Sequence, residues 1–409
     1  ANSLKAFNGG VTVYAGLSSD ELISNTNSLD DRLAYTNSFL STSTVPLFFW
    51  SGAYPIIYKA NACIEGITKS KSIGENTKNQ LIGEAKFVRS FLYFNLVNLF
   101  GDVPLVFTTD FEANALLPRT PVSTVLQKIA TDLEEARDLL PAEYVTPGRV
   151  RVNKFSATAL LAKIYLYQKD WSNAKLAASQ VIDKNDTYQL ETDLNNVFLP
   201  TSREAILQLL PVSPTYNTAE GFLFVATSST ATPKYIVSDY LLNAFEANDS
   251  RKISGNWLML NTTSGGQDYY YPYKYKLGRD GSSSPSEYYT VLRLADQYLI
   301  RAEANAQLNS LQDAEDDLNV IRTRAGLSDT TITDQDGLLN AVLKERQVEL
   351  FCEWGNRWYD LKRTDKVNEV MSVVTPLKGG VWNNNLQLYP VPQTQIETNP
   401  FLIQNPGYQ

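Results

Sequence analysis

Glu345-Arg346-Gln347-Val348-Glu349 and the following Trp354-Gly355-Asn356-Arg357-Trp358-Tyr359-Asp360 set acids, bases and rings at helical spacing. Two carboxylates so placed could form the acid and base, or acid and nucleophile, of a glycosidase. The bases beside them argue otherwise. A cation one turn away favours the ionised carboxylate, whereas a general acid needs its pKa raised. The spacing instead predicts an ion-pair lattice that pins a helix end, with both glutamates lowered. In it Arg346 faces Glu349 one turn on and is within reach of Glu353 or Asp360, Arg357 pairs with Asp360 on one helix face, and Trp358 packs over them. Other acidic pairs, Asp30-Asp31, Glu134-Glu135 and Asp316-Asp317, diverge by about 100° on a helix and cannot converge on one substrate atom. Asp334-Gln335-Asp336-Gly337 opens like a calcium loop but lacks the further ligands and closing Glu, so it reads as an N-cap before Leu338.

The 409 residues contain no histidine, which excludes Ser-His-Asp and Cys-His catalysis and every His-ligated metal. Neither a metal pattern nor a cofactor motif is present: Gly9-Gly10 and Gly265-Gly266 lack the Lys-Ser/Thr of a phosphate loop. Cys63 and Cys352 sit in helical apolar patterns and read as buried free thiols. A net charge of −8 without a Lys/Arg-rich run makes nucleic acid a poor partner. No apolar run is long enough to span a bilayer as a helix.

One region has binding chemistry. Between residues 256 and 289, Trp257, Tyr269, Tyr270, Tyr271, Tyr273, Tyr275, Tyr288 and Tyr289 are interleaved with Asn256, Gln267, Asp268, Lys274 and Arg279. Sugar C–H faces pack on aromatic rings, and sugar hydroxyls pair with amides, carboxylates and guanidinium groups. Rings offer large contact area for little rotamer entropy. The competing reading is a satellite core under a long loop, since strand alternation turns half the rings inward.

The elements that must position these residues are mostly helical. Segments 81–100, 155–182 and 292–324 carry a 3.6 period; the second breaks near Lys169-Asp170, and the third near Asn309-Ser310 before closing at Gly326. The last two match at a constant offset of about 140 positions: Ala162 with Ala302, Ile164 with Ala304, Ala174 with Ala314, Ala178 with Leu318, Val181 with Ile321. Small residues at facing positions and a short break give tetratricopeptide-like hairpins. Further helices are expected at 46–68, 124–140 and 337–363. Residues 199–290 are rich in Ser, Thr, Gly, Pro and Tyr, with β-type runs at 205–210 and 270–275. The tail is proline-punctuated and extended. The expected architecture is one mostly α domain over residues 1–409. Helical hairpins scaffold about 46–198 and 291–375, an irregular, short-β insertion over about 199–290 carries the ligand site, and a C-terminal strap closes the chain.

Five motifs, in order, resemble the SusD/RagB family of nutrient-binding outer-membrane lipoproteins. They are Gly83-Glu84-Ala85-Lys86-Phe87-Val88-Arg89 running to Gly101-Asp102-Val103-Pro104; Ala159-Leu160-Leu161-Ala162-Lys163-Ile164-Tyr165; Arg293-Leu294-Ala295-Asp296 to Glu303 with Arg322-Thr323-Arg324-Ala325-Gly326; Glu345-Arg346 to Arg363; and Leu388-Tyr389-Pro390-Val391-Pro392 with Gln404-Asn405-Pro406-Gly407-Tyr408. Two departures stand out: Asn356 where relatives often carry His, and Trp354 between Glu353 and Gly355, which many relatives have adjacent. The resemblance implies a non-catalytic protein on the outer face of the outer membrane, held by a lipid on an N-terminal Cys. Such a protein caps a TonB-dependent transporter and presents it with an oligosaccharide or, in some members, a peptide. A peptide ligand would call for a deep groove that reads backbone. The chain opens at Ala1 without an anchor Cys, as a trimmed product would, so the anchor rests on the resemblance alone. In relatives, polar contacts often precede the first long helix, which adds Asp30 and Arg32. The expected ligand-binding set is therefore Trp257, Tyr269, Tyr270, Tyr273, Tyr288 and Asn256, with Asp30 and Arg32.

Overall fold

The computed structural model describes residues 5–211, 217–278 and 285–408, and Arg279 lies outside them. Helix α1 (Gly10–Ser18), strand β1 (Leu22–Ser24) and helix α2 (Leu29–Tyr35) precede the long antiparallel pair α3 (Thr44–Lys69) and α4 (Glu75–Phe100). Strands β2 (Val103–Pro104) and β3 (Arg119–Thr120) bracket α5 (Phe111–Ala115). Helix α6 (Val122–Leu139) packs on α4, and α7 (Lys154–Tyr167) with α8 (Trp171–Ile182) forms a hairpin. The insertion holds β4 (Ala205–Leu209), α9 (Ala219–Phe224), β5 (Tyr235–Val237), α10 (Asp239–Ala244), β6 (Leu258–Thr262), β7 (Asp268–Pro272) and β8 (Tyr289–Arg293). Helices α11 (Leu294–Gln307), α12 (Leu311–Arg324), α13 (Gln335–Glu349), α14 (Asn356–Arg363), α15 (Val367–Leu377) and α16 (Gln393–Thr398) complete the chain. The molecule is mostly helical, as expected, and its described strands pair only in twos: β1 with β5, β2 with β3, β4 with β8, β6 with β7.

The repeat seen in the sequence is a repeat in space. Helix α11 packs on α8, so the second hairpin stacks on the first, and Ala162, Ala174, Ala178, Ala302, Ala304 and Ala314 are sealed between helices. Their small side chains let the helix axes approach. Both hairpins turn on a left-handed residue, Lys169 (φ 59°) and Asn309 (φ 60°). The residue after each donates its N–H to a carbonyl five positions back, Asp170 to Tyr165 at 2.9 Å and Ser310 to Asn305 at 2.8 Å. This is the helix-ending pattern that satisfies orphan carbonyls. A third corner of the same build joins α14 to α15 at Asp365 (φ 58°), with Lys366 N–H on Leu361 O at 2.8 Å. Lys169 has a Cβ in a region where glycine is unstrained, and its ion pair to Asp365 spans 3.9 Å between exposed groups and adds little. Lys169→Gly is expected to stabilise the fold by about 0.5–1 kcal/mol, seen as a higher urea midpoint. A lower midpoint would mean the lysine contributes more than its backbone costs.

Three expectations need correction. The predicted helix over 337–363 is two helices, because Cys352, Trp354 and Gly355 take φ of 51°, 51° and 71°. Side chains on both sides of that turn are buried, so the apolar period runs on through a break it cannot reveal. The turn lays Trp354 flat on Tyr289, centroids 4.6 Å apart and 12° off parallel, and brings Gly355 against Ala15, where a Cβ would sit 2.8 Å from the alanine's. The strand expected at 270–275 spans Asp268–Pro272, and α2 forms in an Asn/Ser/Thr/Asp-rich segment with no apolar period to announce it. The cysteines are unpaired, with Cys352 buried but Cys63 exposed on α3. Helix α1 escaped the sequence reading altogether. All nine of its residues are buried, so it has no polar face and no amphipathic stripe. Residues from the end of the chain enclose it. Tyr389 hydroxyl bonds Ser18 Oγ at 2.9 Å, Trp354 N–H donates to Thr12 Oγ1 at 3.2 Å, and Lys378 Nζ donates to Leu17 O at 2.8 Å.

Candidate functional site

The acid–base motif lies in the core, away from any substrate. Arg293 reaches Glu204 at 2.8 Å, Glu349 at 2.5 Å and Glu353 at 2.8 Å. Arg251 holds Asp249 at 2.8 Å, Glu345 at 2.6 Å and Glu349 at 2.8 Å, and Arg324 closes the lattice on Glu204 and Glu349. Arg346 takes neither Glu349 nor Glu353; it pairs with Asp296 at 3.0 Å and Asp360 at 2.7 Å. Arg357 turns from Asp360 to Asp20, bonding it through two nitrogens at 2.8 and 2.7 Å. Burial raises the Glu349 carboxyl, but Arg324, Arg293 and Arg251 outweigh it and hold the group well below the usual range. Glu345 goes the other way from expectation. Its burial, reinforced by Glu349, outweighs Arg251 and Arg322 and raises it. Neither carboxylate is open to a substrate, since both are buried and bonded to arginine.

A different set of elements reaches the surface. Strand β1 pairs antiparallel with β5, Leu22 opposite Val237 and Ser24 opposite Tyr235, and β5 packs along β7. Helix α2 packs on β1. The row α2, β1, β5, β7 thus brings the early polar segment and the tyrosine-rich hairpin onto one side of the molecule. Ser28 caps α2, accepting from Asp31 N–H at 3.3 Å. Asp31 is buried and braces the turn: its Oδ2 accepts from Ser24 Oγ at 3.0 Å and Thr26 Oγ1 at 2.6 Å. Tyr235 points its hydroxyl at the same carboxylate, and burial, followed by Asp31's charge, pushes that hydroxyl's pKa up. On either side, Asp30 is half-buried and Arg32 exposed, and neither makes an ion pair among the described residues. Burial and the neighbouring Asp31 raise the Asp30 carboxyl. Leu29, 57% exposed, sits beside them.

The aromatic platform expected from the sequence does not form. Trp257 is 0% exposed, and its Nε1 donates to Leu194 O at 2.9 Å. Lys274 Nζ lies 4.6 Å from its ring centroid, and Phe198 meets it edge-on at 5.8 Å. The ring is core and cannot touch a ligand. Asn256 is also structural: Nδ2 donates to Ser250 O at 2.7 Å, and Oδ1 accepts from Asn195 at 3.1 Å. Tyr271, Tyr275 and Tyr289 are buried. Alternation explains the hairpin. On one face Asn261 Nδ2 donates to Ala231 O at 2.6 Å and Tyr271 reaches the backbone of Ala226; on the other, Leu258 and Tyr270 pack toward the core. Tyr273 meets Tyr271 edge-on at 6.0 Å, with Lys276 Nζ 4.4 Å from its centroid. Tyr288 belongs elsewhere, ahead of β8 and against Gly148, where a Cβ would sit 3.1 Å from its ring. Tyr269 and Tyr270 remain half-buried on the hairpin that the row joins to Asp30 and Arg32. Asp31, the residue that fixes the turn, was missed because nothing in the sequence separates it from Asp30.

Residues 242–408 match the model of the SusD family, and residues 12–166 match the model described as starch-binding associating with outer membrane. The chain belongs to the SusD family. The SusD-like protein P25 of Formosa agariphila is 27% identical, over 88% of this chain and 79% of that one. A SusD superfamily protein from Bacteroides vulgatus superposes with a TM-score of 0.85 at 21% identity, covering 99% of this chain and 96% of that one. A laminarin-binding SusD-like protein gives 0.82 at 23% identity, covering 97% and 94%. The hairpin scaffold is thus a SusD fold. Among the described residues no helix is long and apolar enough to cross a membrane.

Proposed function

We propose that this SusD-family protein binds an oligosaccharide or polysaccharide at the outer face of the outer membrane, without cleaving it, and hands it to a TonB-dependent transporter. A lipid on an N-terminal Cys would hold it there. The observation that carries the reading is the α2 turn. A buried, bonded Asp31 holds Asp30 and Arg32 outward, both free of ion pairs among the described residues, and the row from α2 leads to the hairpin whose half-buried Tyr269 lies on the face opposite the core-packed Tyr270. Such a face can bond hydroxyls through a carboxylate and a guanidinium and pack a sugar against a half-exposed ring. The laminarin-binding relative of the same fold adds support. Glu345 and Glu349, locked by arginines, lend nothing to a glycosidase. Affinity is expected to be micromolar to millimolar, roughly −8 to −4 kcal/mol, weak enough to release cargo.

Arg32→Ala is expected to weaken binding about ten-fold, the worth of one or two charge-assisted hydrogen bonds, with no change in thermal stability. Calorimetric titration with a panel of purified oligosaccharides measures it. Equal affinity of variant and wild type would remove α2 from the site. Release of reducing ends on incubation with polysaccharide would show a hydrolase instead.

A further inference from the structure

The C-terminal strap carries a second place suited to sugar, an inference that rests on the glycan-binding reading above. Trp382 follows α15 and is half-buried. Its indole meets the buried Trp358 edge-on, centroids 6.2 Å apart at 86°, so the core fixes its plane. A chain of amides fixes its edge. Nε1 donates to Asn368 Oδ1 at 3.0 Å, Asn368 Nδ2 donates to Asn384 Oδ1 at 2.9 Å, and Gln387 Nε2 donates to the same oxygen at 2.8 Å. Asn383 caps the short turn Asn384–Gln387, accepting from Asn385 N–H at 3.0 Å. Gly407 backs this turn so closely that a Cβ there would lie 2.7 Å from that of Asn385.

The frame is rigid, but its hydrogen-bonding capacity is only partly used. Each amide nitrogen carries two hydrogens and each carbonyl two lone pairs. The relay uses one hydrogen each of Asn368 and Gln387, and among the described residues the Asn384 nitrogen and the Gln387 oxygen have no hydrogen-bond partner. Asn368, Asn383 and Asn384 are exposed. Uncharged donors and acceptors around an indole suit a neutral polyhydroxyl ligand better than an anion or a cation. An extended sugar chain also has a path to it. A cleft of about 560 Å³ is lined on one side by Thr36 and Ser38, directly after α2, and on the other by Gly380 and Val381, directly before Trp382. It lies between the end of α2, one turn beyond Arg32, and the strap.

We infer that Trp382 and its amide frame form an outlying subsite for a neutral polysaccharide whose chain also occupies the Arg32 face. Two contacts on one chain act at high effective concentration, so losing one weakens long ligands while sparing short ones. The test uses Trp382→Ala and Asn384→Ala in gels cast with starch or laminarin, with maltotriose and laminaritriose titrated calorimetrically. Both variants are expected to lose retention on polysaccharide about ten-fold while binding the trisaccharide like wild type. Asn384 is exposed, so its variant decides the matter if Trp382→Ala does not fold. Unchanged retention of Asn384→Ala and of any folded Trp382→Ala, with Arg32→Ala losing it, overturns this inference and leaves the proposed function standing. Loss of the trisaccharide as well would make Trp382 part of the first site and overturn it too. Wild type that runs freely through these gels and a wider panel of neutral polysaccharides removes both the inference and the reading beneath it.

Discussion

Glu349→Gln is expected to destabilise the protein by about 3–5 kcal/mol, enough to leave much of it unfolded at physiological temperature. Glu349 is 0% exposed and accepts from Arg251, Arg293 and Arg324. Glutamine keeps the volume but leaves three buried guanidinium groups short of one negative charge. Replacing a whole ion cluster by apolar residues can be neutral, but removing one partner strands the others. The pH dependence gives the effect a signature. The folded carboxyl lies well below its ordinary 4.5, so its contribution is fully present above that pH and is lost as pH falls through the folded value. The gap between wild type and variant should therefore narrow in acid. Urea melts at pH 7 and pH 3 would show it. A variant within about 1 kcal/mol of wild type at pH 7 would mean that water or rearrangement relieves the lattice.

Trp257→Ala is expected to cost a similar amount, about 3–5 kcal/mol, through an unfilled core rather than a lost ligand contact. The indole fills space against Phe198 and Phe351, offers its face to Lys274, and ties its N–H to Leu194 O. Trp257→Phe keeps most of the volume and gives up the hydrogen bond, worth about 1 kcal/mol. Folded Trp257→Phe should bind oligosaccharide as wild type does. A ten-fold loss of affinity with the fold intact would place this ring in the site after all.

These two residues also mark where sequence reading stops. Helices α4, α8 and α12, each with a wet face, were legible from their period; α7 and α11, almost wholly buried, were legible through the hairpin repeat they share, and so were the corners at Lys169 and Asn309. Helix α1 was not, because burial on every side erases the stripe. The turn after Glu349 was not, because its strain lies in backbone angles that no residue type announces: Cys352 and Trp354 are unusual occupants of positive φ. The chemical character of Glu345–Asp360 as an ion-pair lattice was legible, but its pairing was not. Arg357 finds Asp20 at a separation of 337 residues, far beyond any helical spacing rule. The tyrosine-rich segment shows the ambiguity most clearly. A tyrosine is equally at home under a loop or against a sugar. Alternation says that half of them turn inward, but only the folded 226–231 loop, which receives Asn261 and Tyr271, decides which half.

The enclosure of α1 by Trp354, Lys378 and Tyr389 sets an order of events during biosynthesis. Trp354 leaves the ribosome 342 residues after Thr12, whereas α2, β1 and Phe49 can cover part of the helix early. Contacts of such long sequence separation close slowly, and an exposed apolar stretch invites aggregation in the interval. Truncation near the C-terminus should therefore leave α1 covered only in part, by α2, β1 and Phe49, even though the hairpins between would be complete.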